Sequence, residues 1–345
     1  MGLRDEVLEQ PAAARRLLDS APTAFASISA AAASRRPRFA VIAARGTSDN
    51  AGIYAQYLLA IRNGLIVALA APSTITLYGA RPDMADALVV GISQSGRSPD
   101  IVAVVEEARR QGALTVALTN DPDSPLAGTA DQVVDLLAGP ERATAATKTY
   151  TAELLAAALL STALDPPSSG ETADLAGLPA LISVALTAEP HARDVAAVHA
   201  ERQRAVVLGR GYSYASAREW ALKLQEMALV AAMPYSAADF EHGPLALAEP
   251  GLPVLAVAPS GAELDAQVAL LARLKEDHGA RLLVISDAPA ARGIDEGLAL
   301  PDGIPAWLAP IVEIVPAQLY AYHLTVARGL DPEHPRTIGK VTETR

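Results

Sequence analysis

The stretch Ala87-Leu-Val-Val-Gly-Ile-Ser-Gln-Ser-Gly-Arg-Ser-Pro-Asp100 decides the fold. Its first half is a continuous apolar run, typical of a strand that is buried on both faces of a sheet, and a helical pattern over 100–111 follows it. A strand that leads through a short polar turn into a helix is half of a βαβ unit, in which helices join parallel strands. The stretch therefore predicts a parallel sheet covered by helices.

Further apolar runs and helical patterns follow the same alternation along the chain. The runs predict strands over 39–44, 65–70, 87–93, 114–119, 132–137, 205–209, 254–258, 281–286 and 310–315. The patterns predict helices over 143–163, 215–231, 264–278 and 317–328. Continuous apolar strands that alternate with helices of this length indicate an α/β fold with buried parallel sheets.

Two short motifs occur twice at the same separation. Arg45-Gly46-x-Ser48 follows the first predicted strand, and Arg210-Gly211-x-Ser213 follows a later strand 165 positions on. Ser95-Gly96 and Ser260-Gly261 also lie 165 positions apart. We therefore predict a duplication, with two doubly wound parallel-sheet domains in tandem.

The predicted organisation has four parts. A helical segment covers 1–38, the first domain 39–170, the second domain 171–330, and a polar tail 331–345. We place the domain boundary at the turn-rich Asp165-Pro-Pro-Ser-Ser-Gly170, because clusters of proline, serine and glycine separate regular elements.

Composition excludes several classes of protein. The 345 residues carry a formal net charge of −11, which is unsuited to general binding of a nucleic-acid backbone. Cysteine is absent, so disulfides, thiolate metal sites and a cysteine nucleophile are excluded. No uninterrupted apolar run approaches the roughly 18 residues of a membrane span, and the N-terminus has no apolar targeting segment. We expect a cytoplasmic protein without nucleic-acid or membrane partners.

The polar turn of the opening stretch is the first candidate site. Ser93, Gln94, Ser95 and Ser98 stand at the start of a predicted helix, where free backbone N–H groups and the helix dipole favour an anion. These side chains predict a cradle for a phosphate monoester. The alternative is a polar N-cap, a position at which serine is common.

Other hydroxyls are expected at the same edge of the sheet, because the carboxyl ends of parallel strands meet there. They belong to Thr47, Ser48 and Thr144. The second copy is less polar at the matching place, since Ala258-Pro259-Ser260-Gly261 keeps one hydroxyl where the first copy has two beside a glutamine. The first copy is therefore predicted to bind the ligand.

A second candidate site lies on a later helix. Glu219, Lys223 and Glu226 recur at i, i+4 and i+7, which places them on one helix face. A solvated salt-bridge face has the same spacing. Because the helix is otherwise apolar and lysine occurs only four times in the chain, we also consider a partly buried pair for proton transfer. Downstream, His242 in a turn suits proton shuttling, and Lys340 in the tail suits phosphate contact or a Schiff base.

Taken together, these motifs resemble the sugar isomerase (SIS) domain family, most closely the isomerase half of glucosamine-6-phosphate synthase. The resemblance covers nearly the whole chain and rests on these segments: Glu9-Gln10-Pro11, Gly46-Thr47-Ser48, Ser93-Gln94-Ser95-Gly96, Thr147-Lys148, Leu208-Gly-Arg-Gly211, Ala221-Leu-Lys-Leu-x-Glu226, His242-Gly-Pro-Leu245, and Pro335-Arg336 with Lys340. It implies that each predicted domain is a flavodoxin-like SIS domain.

The resemblance implies a role for each candidate residue. Glu226 is implied as the base that moves a proton between C1 and C2, with His242 assisting ring opening and Lys223 assisting at the sugar oxygens. Lys340 is implied to contact the open-chain carbonyl or to condense with it. The residues implied in binding the sugar or its phosphate are Thr47, Ser48, Ser93, Gln94, Ser95, Ser98, Thr144 and Glu219. A homodimer is implied too, with shared active sites and the histidine loop entering the partner's site.

Departures from the synthase bear on the function. Ala146, Arg45 and Gln225 stand where the synthase has serine, cysteine and lysine, which leaves the identity of the sugar open. The synthase also carries a glutaminase domain with a terminal cysteine, and we expect this cysteine-free chain to lack that activity.

The leading hypothesis is a stand-alone isomerase/deaminase that converts glucosamine 6-phosphate, or a close analogue, to fructose 6-phosphate and ammonia without a cofactor or metal. The alternatives are a deglycase of a phosphorylated fructosamine adduct, and an isomerizing fructose-6-phosphate aminotransferase that uses external ammonia. A hypothesis from a different functional class is that the protein is a non-catalytic sugar-phosphate sensor. The presence of Glu226, Lys223, His242 and Lys340 favours an enzyme.

Overall fold

The computed structural model describes residues 2–337, 339 and 340. Within them lie ten strands: β1 Phe39–Ala43, β2 Ile66–Leu69, β3 Ala87–Ile92, β4 Leu114–Thr119, β5 Gln132–Asp135, β6 Arg204–Gly209, β7 Ala231–Ser236, β8 Pro253–Val257, β9 Arg281–Ser286 and β10 Glu296–Ala299. The α-helices are α1 Leu3–Leu8, α2 Gln10–Arg35, α3 Thr47–Asn63, α4 Ser73–Thr76, α5 Pro99–Arg110, α6 Pro125–Thr129, α7 Lys148–Leu164, α8 Ser169–Ala185, α9 Glu189–Val198, α10 Tyr214–Glu226, α11 Ala237–Glu241, α12 Leu264–Glu276, α13 Pro289–Arg292 and α14 Ala309–Ala327. Four 3-10 turns add Leu186–Ala188, Gly211–Ser213, Pro244–Leu247 and Ala306–Leu308.

The strands form two parallel five-stranded sheets of the same topology. The first has the order β2-β1-β3-β4-β5, and the second has β10-β9-β8-β6-β7, which is the same order read from the other edge. Val41 pairs with Val89 in the first sheet, and Val206 pairs with Val254 in the second, so the register is kept at an offset of 165. The prediction of two tandem doubly wound domains is confirmed.

Contacts divide the chain into two compact units. The first-sheet unit contains Ala12–Glu141, Lys148–Ala176 and, from the tail, Gly339 and Lys340. The second-sheet unit contains the chain before Ala12, the loop Arg142–Thr147 and the chain from Gly177 onward to the tail. The short helix α1 and the loop before α7 are therefore packed with the second sheet, although the sequence places them beside the first.

Each sheet is covered by its own helices. In the first-sheet unit β3 and β4 are buried along their whole length, and Ile101, Val104 and Val105 of α5 pack on Val89 and its neighbours. In the second-sheet unit β8 is buried throughout, and α12 packs against it through Leu270, Leu271 and Leu274. Continuous burial of the central strands explains why they read as uninterrupted apolar runs.

One predicted strand is wrong. The segment 310–315 lies inside α14, a helix that begins at Ala309 and is buried on almost all sides. A helix in the middle of a core is apolar all round, so its sequence loses the 3.6-residue period and resembles a buried strand. Pro310 fits the first turn of this helix, where a proline nitrogen forfeits no hydrogen bond.

Several boundaries also differ. The helix expected over 143–163 begins at Lys148, and the one expected over 215–231 ends at Glu226. The residues after Glu226 lead into β7, an edge strand that the sequence analysis missed, as it did β10. Pro234 interrupts the apolar pattern of β7, and β10 is only four residues long, so both edge strands lack the signal of the central ones.

The helices α8 and α9 form one helical stretch over Ser169–Val198. It is the single stretch among the described residues that is long and apolar enough to cross a membrane, by length and composition alone. Core helices of soluble proteins meet the same criterion, so one such stretch is weak evidence of a membrane span.

Each copy ties the turn after its first strand to its last helix through a buried serine–glutamate hydrogen bond. Ser48 donates to Glu153 of α7 at 2.7 Å, and Ser213 donates to Glu313 of α14 at 3.0 Å. Burial raises the pKa of Glu313 to about 7, against the opposing effect of the neighbouring hydroxyls of Ser216 and Ser213. Glu313 is fully buried, so it stays protonated in mildly acidic solution.

We predict that the protonation of Glu313 couples stability to pH. The folded protein binds this proton more tightly than the unfolded chain does, so the stabilisation is complete below about pH 4.5 and is lost as the pH rises through about 7. The free energy of unfolding should therefore fall by up to about 3 kcal/mol across this window. In the variant Glu313→Gln this fall should be missing.

Urea denaturation between pH 4.5 and 8 measures the effect. Glu276→Gln on α12 is the control, because that glutamate is exposed and its loss should leave the pH profile unchanged. A Glu313→Gln profile that parallels the parent profile would contradict the assignment.

Candidate functional site

The polar turn between β3 and α5 is a rigid loop at the carboxyl end of the first sheet. The amide of Gly96 donates to Ser93 Oγ at 3.1 Å, and the amide of Arg97 lies 3.4 Å from Ser95 Oγ. Ser98 is the N-cap of α5, and its own hydroxyl makes no capping hydrogen bond. The loop thus presents hydroxyls at a helix N-terminus, as an anion requires.

A second loop buttresses this one from behind. The carbonyl of Gln94 accepts from the amide of Asn120 at 3.1 Å, and the carbonyl of Gly96 accepts from the amide of Leu126 at 3.0 Å. Gly96 has φ +61°, and a Cβ there would collide with the side chain of Ser124. Glycine is therefore required at this position, because both the backbone conformation and the close packing exclude a side chain.

Two arginines flank the loop, and the sequence analysis did not single them out as site residues. Arg45 Nε bonds Asp100 Oδ2 at 2.8 Å, and Arg97 bonds Asp121 at 2.8 Å. Asp100 is buried, whereas both guanidinium groups are about half exposed. Each arginine is thus held in place by a carboxylate while it keeps contact with solvent. The sequence feature that could have identified them is the position of each arginine in a polar turn after a strand, where an anion is expected to bind.

Thr47 and Ser48 open helix α3, directly after the left-handed Gly46. Ser48 is buried and its hydroxyl donates a hydrogen bond to Glu153. Toward a ligand this hydroxyl can therefore act only as a hydrogen-bond acceptor. Nothing lies within 4 Å of the point where a Cβ of Gly46 would stand, which leaves the backbone of this turn open to a ligand.

Lys340 in the tail belongs to the first-sheet unit. Its Nζ contacts Glu141 Oε2 at 2.8 Å, and Glu141 Oε1 accepts from the amide of Thr149 at 3.1 Å. The Glu141 side chain is fully buried, whereas the Lys340 side chain is 25% exposed. Lys340 is therefore held by an ion pair close to the start of α7.

The face of α10 holds a buried cation between two carboxylates. Lys223 Nζ lies 2.5 Å from Glu226 Oε2 and 3.3 Å from Glu219 Oε1. Lys223 and Glu219 are almost wholly buried, whereas the Glu226 side chain is 24% exposed. The solvated salt-bridge face considered in the sequence analysis is therefore wrong for Lys223 and Glu219.

Electrostatics keeps Lys223 charged. Burial by itself lowers the pKa of the ammonium, but the carboxylates of Glu219 and Glu226 outweigh this effect and raise the pKa above its ordinary value. An ammonium of this kind does not serve as a general base at neutral pH. It can instead stabilise negative charge on an oxygen beside Glu226, which is the partly exposed member of the trio.

His242 is exposed at the C-terminal end of α11, and its amide donates to Asp239 at 3.1 Å. Among the described residues no hydrogen bond is seen from its imidazole ring. The ring is therefore not joined to the α10 trio within this chain.

The loop that carries Thr144 is held by α1 and α14, within the second-sheet unit. The buried Glu6 accepts from the amides of Arg142 at 2.5 Å and Ala143 at 3.4 Å. At the other end of the loop, Gln318 donates to the carbonyl of Thr147 at 3.2 Å and accepts from Gln10 at 2.8 Å. Gln10 of the Glu9-Gln10-Pro11 motif thus supports this loop.

Comparison with known proteins accounts for the two copies. The model of the SIS domain matches residues 35–163 and again residues 199–328. The chain belongs to the SIS domain family. Both matches contain a complete parallel sheet of the kind described above. Metal-ligand geometry is absent: no three His, Asp or Glu side chains within the described part of this SIS chain are grouped to hold an ion.

Three similar proteins illustrate the breadth of the SIS relatives. A glutamine–fructose-6-phosphate aminotransferase (isomerizing) of Pyrococcus horikoshii is 34% identical over 306 residues, which cover 87% of this chain and 51% of that protein. A solved structure from Silicibacter pomeroyi, described provisionally as a phosphosugar isomerase, is 36% identical with a TM-score of 0.88 and covers 96% of this chain and 100% of that one.

The third is the C-terminal domain of the glucosamine-fructose-6-phosphate aminotransferase of Francisella tularensis. It is 26% identical with a TM-score of 0.85, and the match covers 96% of this chain and 98% of that chain. The present chain spans about half the length of the curated relatives it matches.

We predict that Lys223 is required for stability because it compensates a buried charge. Lys223→Met should lower the free energy of unfolding by about 3–5 kcal/mol, since the buried carboxylate of Glu219 loses the ammonium that lies 3.3 Å from it. The double variant Lys223→Met/Glu219→Gln should recover most of this loss. Urea denaturation at pH 7 measures all three proteins.

Lys275→Met is the matched control. Lys275 pairs with Asp295 at 2.8 Å but is 29% exposed, so its loss should cost less than about 1 kcal/mol. Equal losses for the two lysine variants would refute the argument from burial.

Proposed function

We propose that this SIS chain is a sugar-phosphate aldose–ketose isomerase that acts as a deaminase, converting glucosamine 6-phosphate or a close analogue to fructose 6-phosphate and ammonia. The observation that carries the proposal is the trio on α10, in which a buried ammonium and a partly exposed carboxylate stand 2.5 Å apart. The names of the relatives support the substrate class, since each name refers to a phosphosugar or to an aminotransferase of fructose 6-phosphate.

The trio also favours an enzyme over a sensor. Burying Lys223 and Glu219 has a desolvation cost that phosphate binding alone does not require. Such buried ionisable groups beside a partly exposed carboxylate are typical of acid–base sites. A non-catalytic sensor needs the phosphate loop only.

In the proposed reaction the loop before α5 recognises the phosphate. Its donors are the hydroxyls of Ser93, Ser95 and Ser98 with the amide of Gln94, and the helix N-terminus adds its dipole. Thr47, Ser48 and Thr144 are assigned to phosphate or sugar hydroxyls. These contacts fix the position of the substrate, so that remote binding energy orients the reacting carbons.

The chemical step is a proton transfer between neighbouring carbons. Glu226 removes the proton from C2 of the open-chain amino sugar and returns it to C1. One N–H proton of the amine passes to O1 in the same conversion, so that the C1 aldehyde and C2 amine become a C1 alcohol and a C2 imine. Lys223 stabilises the charge that develops on the sugar oxygen. Water then adds to the imine and ammonia leaves, so that the product is the 2-ketose phosphate.

Aminotransfer is the second candidate, and the name of the Pyrococcus horikoshii relative favours it. It is the same proton transfer run in reverse, with free ammonia adding to fructose 6-phosphate. Since one catalyst accelerates both directions, the KM for ammonia and the KM for glucosamine 6-phosphate, measured with one purified chain, show which direction the site is adapted to. A phosphorylated fructosamine adduct in the same assay tests the deglycase.

We further propose a homodimer in which His242 serves the partner's site and assists ring opening. The exposed position of His242 on its own subunit supports this role. Within its described residues the first-sheet unit also exposes five large apolar side chains, which suits a subunit contact. These are Ile61, Ile66, Leu77, Tyr78 and Val133.

We predict that Glu226→Gln lowers turnover of glucosamine 6-phosphate by about 10²–10⁴-fold, because the amide cannot accept the C2 proton. The affinity for the sugar phosphate should stay within about twofold, because the phosphate loop is unchanged. Release of ammonia and of fructose 6-phosphate measures turnover, and loss of the C2 proton in deuterated water, followed by NMR, measures the transfer itself.

Glu276→Gln is the control for this variant, because it makes the same chemical change on an exposed helix position. Proton exchange that persists in Glu226→Gln would show that the base is misassigned. Binding without turnover of any phosphorylated amino sugar by the parent protein would favour the sensor.

We predict complementation between two inactive proteins. Glu226→Gln and His242→Ala chains should each be inactive, and refolding them together should restore up to about a quarter of the parent activity, because some dimers then contain one site with both residues intact. Activity after co-refolding and the mass of the particle by light scattering are the measurements. Absence of recovery in a dimeric mixture would place both residues in one subunit's site.

A further inference from the structure

The second copy retains part of the backbone of the phosphate cradle. Gly46 and Gly211 both have left-handed backbone, with φ of +57° and +59°, and each precedes a serine that bonds a buried glutamate. Ser260-Gly261 follows β8 as Ser95-Gly96 follows β3. The turn after β6 thus repeats the backbone of the turn after β1, whereas Gly261 does not share the left-handed backbone of Gly96, which has φ +61°.

The copies differ in what lies in front of this backbone. Glu263 is the N-cap of α12, at the position that corresponds to Ser98 at the N-cap of α5. The space in front of Gly46 is open, whereas one carboxylate oxygen of Glu263 lies where a Cβ of Gly211 would stand. Its other oxygen lies 3.3 Å from the Cβ position of Gly261.

A second carboxylate holds the turn from the far side. Asp287 Oδ1 accepts from the amide of Ser260 at 2.7 Å. Since β4 and β9 keep the same register against β3 and β8, Asp287 corresponds to Asn120 of the first copy. What remains of the second cradle is a small pocket lined by Arg210, Tyr212, Ser213, Ser260, Glu263 and Gln267.

We propose that Glu263 is a built-in anion that occupies the second cradle in place of a phosphate and thereby restricts each chain to one phosphate site. A carboxylate seated against the two glycines fills the space, and it repels a second anion at short range. The pocket still contains Arg210, which is the counterpart of Arg45. Specificity here comes from an element that excludes the wrong site, in addition to the contacts that favour the right one.

The inference rests on the proposed phosphate site of the first copy, so the experiment tests the two separately. Isothermal titration with inorganic phosphate, on the full chain, counts sites per chain. The parent should bind one phosphate. Glu263→Ser should bind two. If Asp287 also repels the ligand, the second site should appear in Glu263→Ser/Asp287→Asn. The affinity for phosphate at this second site should be at least about tenfold higher than at the same place in the parent.

The reciprocal change should close the first site. Ser98→Glu is expected to bind none, and Ser98→Glu/Glu263→Ser/Asp287→Asn is expected to bind one. Glu276→Ser, which removes a carboxylate from the exposed end of the same helix α12, is the control and should stay at one. Serine is a preferred N-cap, so Glu263→Ser should fold, and thermal melting checks this.

Each outcome decides one of the two proposals. A parent that binds no phosphate, with a Glu263 variant that binds one, would reject the first-copy site and support the blocked cradle. A parent that binds one, with folded Glu263→Ser and Glu263→Ser/Asp287→Asn proteins that also bind one, would overturn the blocked cradle. So would a parent that already binds two.

Discussion

A parallel strand buried on both faces leaves no place for polar side chains along its length. The middle strand of each sheet, β3 or β8, has no polar side chain, and polar residues collect in the turns after these strands, where helices begin. This constraint concentrates the chemistry at the carboxyl edge of each sheet. It also explains why both copies place a turn and a helix N-terminus at the same edge, since every copy of the fold builds that edge.

A buried hydrogen bond secures that edge in each copy. Ser48 with Glu153 and Ser213 with Glu313 join the first turn to the last helix, and the serines are related by the offset of 165 that relates the motifs. The scaffold was therefore retained in both copies while the side chains in front of it diverged. Ser98 against Glu263 is the clearest case, because one hydroxyl leaves room for an anion and one carboxylate takes its place.

The positions of the lysines show how much the composition indicates about buried charges. Four lysines occur among 28 basic residues, and the structure buries two of them and pairs a third with a buried glutamate. Lys223 lies between two carboxylates, and Lys340 contacts Glu141. A compact ammonium suits such confined positions better than a planar guanidinium. Lys275, on the surface of α12, is the ordinary member of the set.

Sequence alone determined the α/β class, the duplication, the SIS resemblance and the i, i+4, i+7 face of α10, because strand burial, motif spacing and helical period are written in the order of residues. Tertiary structure alone decided that 310–315 is helical, since a helix buried on all sides has no polar stripe to reveal its period. It also decided that Glu6, Gln10 and Gln318 hold the Thr144 loop, and that Glu263 fills the second cradle. These contacts join segments far apart in the chain, and the local sequence does not indicate which distant residue a side chain will contact.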